Sequence, residues 1–100
     1  MRTAKPTIDK PESRRISVRI RHVLLEVWDP IGIKGSPNAQ DEYDGYIGEL
    51  YDLLVSHADD SRISDYLYWA AHDHMGLSAA SRSDMRITVE ALKKIRLTPE

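Results

Sequence analysis

The sequence predicts an all-α fold, a compact four-helix bundle with an irregular loop between its first and second helices. Three observations lead there. Apolar residues recur at three- and four-residue steps in four separate segments. No segment alternates apolar and polar residues for long enough to make a strand. Pro30, Gly32, Gly35, Pro37, Gly76 and Pro99 fall between or beyond the periodic segments, where chain-breaking residues belong.

Length and composition narrow the class further. One hundred residues make a single domain, able to bury roughly two-thirds of its unfolded surface. The chain has no Cys and no Phe, so its core must be aliphatic, Tyr and Trp, without disulfides or thiolate metal ligands. No apolar run approaches the ~20 residues of a membrane helix, and the polar, proline-containing start is not a signal peptide. A reducing, cytoplasmic setting is expected.

Residues 1–12 hold two prolines and one aliphatic residue, Ile8, and read as a disordered leader; residues 13–97 form the helical domain. Ser13 is the expected N-cap of the first helix, which runs from about Arg14 to Trp28 with Ile16, Ile20, Val23, Leu24 and Val27 facing inward. Pro30 stops it by disfavouring helical geometry at Asp29. Ile31 and Ile33 are too apolar for a free loop and are expected to fold onto the core beside Trp28. A second helix should start between Pro37 and Asp41, carry Tyr43, Tyr46, Ile47, Leu50, Leu53 and Leu54 inward, and end at His57 and Ala58. Asp59, Asp60 and Ser61 supply caps for a third helix buried through Ile63, Tyr66, Leu67, Ala70 and Met75, with Gly76 as its left-handed C-terminal cap. The small-residue linker from Ser78 leads to a fourth helix starting near Ser83 or Asp84, with Met85, Val89, Leu92 and Ile95 inward.

Charge is segregated along the chain. Residues 1–22 carry seven Lys/Arg against Asp9 and Glu12, a balance of +5. Residues 23–76 carry Lys34 and Arg62 against eleven Asp/Glu, a balance of −9, and residues 77–100 stand at +2.

Four features are candidates for function. The Trp28-Asp29-Pro30 corner, with Gly32, Tyr43 and Tyr46, reads first as a structural lock. In that lock the Asp29 carboxylate folds onto nearby backbone amides, and a loop carbonyl or carboxylate receives the Trp28 indole N–H. Its alternative use is recognition. The acidic opening of helix two, Asp41, Glu42 and Asp44, continues to Glu49 and Asp52. It is either a dipole-favourable helix start or a negative docking groove, with Gly45 and Gly48 admitting the Ile31–Ile33 loop, a neighbouring backbone or a partner. Tyr66, Tyr68 and Trp69 are more aromatics than one helix face buries, so Trp69 is a candidate anchor unless it caps the core. Arg14, Arg15, Arg19 and Arg21, with Lys5 and Lys10, form a basic flank. It lacks interleaved aromatics, and the acidic middle disfavours nucleic acid.

Chemistry is thinly represented. His72 and His74 are two residues apart and diverge on a helix, His22 and His57 are single, and no calcium-loop pattern is present. No G-x-S-x-G elbow or phosphate loop occurs, so no catalytic residue, cofactor or metal is assigned.

The words WDPIGI, P-x-A-x-DEYDGY, the later YL and the closing MGL, read in order from Val23 to Leu77, resemble a family of small bacterial all-helical proteins to which no activity is assigned. The match falls on Trp28, Asp29, Pro30, Gly32, Asp41, Glu42, Tyr43, Asp44, Tyr46 and Met75-Gly76-Leu77. His72-Asp73-His74 departs from it where acidic residues would precede MGL. The resemblance implies a helical fold.

Together these readings lead us to expect a non-catalytic protein-binding module, of the kind an immunity-type inhibitor of a bacterial toxin represents. Its partner would be basic, met through Asp41, Glu42, Asp44, Asp52 and Trp69. A homodimer is compatible with the charge pattern. The other expectations weighed are a small metal-dependent hydrolase using Asp29, Asp41, Glu42 and Asp44, and a nucleic-acid-associated regulator using the N-terminal arginines.

Overall fold

A computed structural model describes residues 10–33, 35 and 41–97. It is all-α. Helix α1 spans Lys10–Val23 and widens into a π-helical turn over Leu24–Trp28. A 3₁₀ turn, Asp44–Tyr46, opens α2, Ile47–Val55. Helix α3 spans Asp60–Tyr68 and ends in a second π turn, Trp69–His74. A 3₁₀ turn over Arg82–Met85 leads into α4, Arg86–Lys93. Helix α1 packs on α2 and α4, and α3 packs on the same two, closing a ring of four. Among the described residues, none of the helices is long and apolar enough to cross a membrane.

The boundaries follow local chemistry, with three departures from expectation. Helix α1 begins at Lys10, so Ser13 lies inside it instead of capping it. Pro11 is tolerated there because first-turn N–H groups have no helical partner anyway, and Glu12 accepts from Arg15 Nε at 2.8 Å. The expected leader lies outside the described residues over 1–9, while 10–12 are helical. The α-helical part of α2 starts only at Ile47. Before it, Asp44 N–H donates to the Asp41 carbonyl and Tyr46 N–H to that of Tyr43, which tightens the entry into 3₁₀ geometry. The expected start between Pro37 and Gln40 falls on residues outside those described.

The π turns change which residues are buried. A π turn adds a residue, and one residue is about 100° of helical phase. Continuing the α-helical stripe of Ile16, Ile20 and Val23 would bury Val27. Instead Val27 is 40 % exposed and Trp28 is buried at 8 %. In α3 the widened turn buries Ala70 and Ala71 side by side, packs Met75 on the core and leaves His74 outward.

The core is aliphatic, built from Ile16, Ile20, Leu24, Leu50, Ile63, Leu67 and Leu92, with Tyr43 as its largest fully buried side chain. Helix ends are closed by standard devices. The Asp59 carboxylate accepts the Arg62 N–H at 3.0 Å. His57 (φ 59°) and Gly76 (φ 76°) take the left-handed cap positions after α2 and α3.

Folding converts the linear charge blocks into two faces. The α1 and α4 stretches, 10–28 and 82–97, hold ten Lys/Arg and four Asp/Glu; the α2 and α3 stretches, 41–55 and 59–74, hold nine Asp/Glu and one Arg. Ion pairs cross between these halves, among them Arg21 with Asp44, Arg82 with Asp65, and Lys93 with Asp60 at 2.9 Å.

Candidate functional site

The corner after α1 is held by one carboxylate. Asp29 sits at φ 34°, ψ 56°, and its N–H donates to the Leu24 carbonyl at 2.8 Å, closing the π turn. Left-handed geometry costs a non-glycine residue roughly 1–2 kcal/mol. The compensation is visible: Asp29 Oδ1 accepts from Ile33 N–H at 2.7 Å and from the Tyr43 hydroxyl at 3.0 Å. That hydroxyl also accepts from Ile31 N–H at 3.1 Å. Gly32 N–H donates to the Asp29 carbonyl at 3.1 Å, a turn with Pro30 and Gly32 at their preferred positions. Burial pushes the Tyr43 hydroxyl pKa up to about 12, with the Asp29 hydrogen bond and charge adding to it against the Ile31 amide.

Two expectations about this corner need correction. The Trp28 indole N–H finds no loop carbonyl or carboxylate but the thioether of Met85, at 3.3 Å. Only Ile33 folds onto the core; Ile31 is 44 % exposed, because its backbone and not its side chain is tethered to Tyr43.

From this corner a line of aromatic rings runs outward across α2 and α3. Trp28 meets Tyr43 at 5.4 Å and Tyr46 edge-on at 5.8 Å. Tyr46 meets Tyr66 at 6.4 Å and His74 at 5.6 Å, and its hydroxyl lies 2.6 Å from His74 Nδ1. Trp69 stacks on both Tyr66, at 5.6 Å and 29°, and His74, at 5.2 Å and 21°. Trp69 is nonetheless 43 % exposed. It is therefore a solvent-facing aromatic whose rotamer freedom has already been lost, which lowers the entropy cost of using it in binding.

Two carboxylates border these rings. Burial and then the charge of Glu42 raise the Tyr46 pKa, and burial followed by the charge of Glu49 raises that of Tyr66. Both glutamates are exposed.

The expected acidic contact residues differ in their surroundings. Asp41 and Glu42 are exposed. Asp44 is not a free contact: Arg21 holds it through Nε at 2.9 Å and through Nη2, so its charge is met within the chain. That pair also raises the Arg21 pKa. Asp52 borders a cleft of about 430 Å³ toward α1, shared with Ser13, Ser17, Gly48 and Tyr51. Trp69 thus stacks on Tyr66 and His74, whereas Asp44 is bound to Arg21 of α1 and Asp52 borders the cleft toward α1.

The helix-two glycines are not sites of close approach. A Cβ built at Gly45 or Gly48 meets nothing within 4 Å. Gly48 opens the cleft toward α1 instead of admitting a backbone or the Ile31–Ile33 loop.

The two neighbouring histidines serve different neighbours. His72 stacks on Tyr68 at 5.0 Å and bonds Asp73 at 2.7 Å, while Arg82 covers the Tyr68 ring at 4.6 Å. His74 belongs to the Trp69 stack. Among the described residues no three His, Asp or Glu converge as metal ligands. Sequence reasoning did not connect His74 with Trp69, and it named Glu49 in the acidic run without counting it among the expected contacts. Glu49 was signalled by its seven-residue spacing from Glu42. His74 carried no signal, since it reaches Trp69 only through the added residue of a π turn. No protein-family model, no functionally characterised protein and no solved structure matches this chain.

Proposed function

We propose that this chain is a non-catalytic binding module for a basic protein, an inhibitor of the immunity type that neutralises a bacterial toxin. One observation carries the reading: exposed Trp69 is immobilised against Tyr66 and His74, in a group of rings whose members Tyr46 and Tyr66 feel the charges of the exposed Glu42 and Glu49. An exposed aromatic anchor with acidic residues on the same rings suits an arginine or lysine side chain, whose charge meets the acids while its aliphatic stem packs on the exposed part of the indole. Nine Asp/Glu against one Arg on the α2–α3 face add a long-range field that speeds association with a basic surface.

The test is affinity capture with the purified chain from the lysate of its native host. The expected partner is basic, released as salt is raised, and lost with Trp69→Ala or with Glu42→Gln/Glu49→Gln in a folded protein. Capture that survives both variants unchanged would reject this surface. Failure to recover any protein partner at low salt would reject the binding role.

A further inference from the structure

A second feature lies where the two π turns converge. A cavity of about 400 Å³ opens between the Trp28–Pro30 corner and the connector that joins α3 to α4. Its size follows from composition. Ala71, on the second π turn, and Ala79 and Ala80, on the connector, are too small to fill the space beside Trp28. A volume of this order falls at the lower end of ligand pockets, enough to take one large side chain. Trp28 and Met85, both buried, form the floor. The Trp28 indole N–H is already spent on Met85 Sδ, and no buried side-chain nitrogen or oxygen among the described residues lacks a partner. The floor therefore asks for an apolar group. At the mouth stands Asp84, an exposed carboxylate that takes no part in the Arg21, Arg82 and Lys93 ion pairs across the bundle.

We infer that this cavity is a docking site for an apolar side chain of the partner, aromatic in the best case, that is followed directly by a lysine or arginine which meets Asp84. The inference rests on the protein-binding reading and adds to it a foothold separate from Trp69. The two are linked through the second π turn, which carries both Trp69 and Ala71. Widened helical turns of this kind recur at functional sites, because they place side chains that a regular helix would aim elsewhere. The apolar half of the occupant is set by the floor, and the cationic half by charge complementarity at the mouth.

The experiment uses two capped dipeptides, acetyl-Trp-Arg-amide and acetyl-Trp-Glu-amide, titrated into the isotope-labelled full chain and followed by backbone and indole N–H shifts. Millimolar-range binding is expected for a contact this small, with shifts at the Trp28 indole, Ala71, Leu77, Ala80 and Met85. The Arg peptide should bind about threefold tighter than the Glu peptide, the size of effect one exposed ion pair supplies. Asp84→Asn should erase that difference, and Ala79→Phe, which fills the cavity from an exposed position, should abolish binding by both peptides while the remaining spectrum is unchanged. Absence of shifts at the cavity residues, or equal binding of the two peptides to the unaltered chain, would overturn the inference. Because these probes report on the cavity alone, their failure leaves the Trp69 surface to be judged by capture with its own variants, and loss of the Trp69 surface leaves these titrations interpretable.

Discussion

The Tyr43 hydroxyl donates to Asp29 Oδ1 at 3.0 Å, joining the residue that terminates α1 to the residue that opens the second helical segment. The same oxygen accepts the Ile31 N–H, and Asp29 Oδ1 also accepts the Ile33 N–H, so one phenol and one carboxylate order the whole start of the connector. Removing only the hydroxyl, in Tyr43→Phe, takes away a donor to a charged acceptor and leaves the Ile31 amide without its partner. A loss of about 1–2 kcal/mol is expected in urea unfolding. Exchange of the Ile31 amide should accelerate in the folded state.

The same hydroxyl makes stability sensitive to alkali. Unfolded tyrosine ionises near 10, whereas burial raises folded Tyr43 to about 12. Its contribution is complete below pH 10 and is lost as pH rises from about 10 to about 12, because over that window only the unfolded chain releases the proton. Two pKa units correspond to on the order of 2–3 kcal/mol. Tyr46 and Tyr66, also raised by burial, act in the same direction. Denaturation midpoints measured across this range should fall steeply, and Tyr43→Phe should flatten the profile.

Gly48 lies inside α2 with open space around its missing Cβ. Gly48→Ala should therefore stabilise the protein by about 1 kcal/mol, the difference in helix propensity, without a steric penalty. Thermal unfolding decides it: a lower midpoint would mean that the notch between α1 and α2 closes on something.

The junction between α2 and α3 offers two opposed changes. His57 occupies a left-handed position, φ 59°, that glycine accepts without strain, so His57→Gly should raise stability by up to about 1 kcal/mol. Asp59 caps α3 through the Arg62 amide, and Asp59→Ala should lower stability by about 1 kcal/mol. The two positions lie two residues apart in one junction, so the departure of the double variant from additivity measures how strongly the two helix ends are coupled.

Much of this architecture is legible in the chain itself. Four amphipathic stretches, the Asp29-Pro30 stop, the Asp59 cap, the Gly76 cap and the separation of charge all follow from interactions between residues a few positions apart, and those depend on sequence alone. Tertiary packing decided the rest. Whether Val27 or Trp28 turns inward, and whether His74 meets Trp69, depends on a π turn of one extra residue that helical periodicity does not announce. Whether Asp44 is offered to a partner depends on Arg21, twenty-three residues away, reaching it across two helices. Periodicity assigns each residue to a face of its own helix; only the packed ring of helices determines what that face meets.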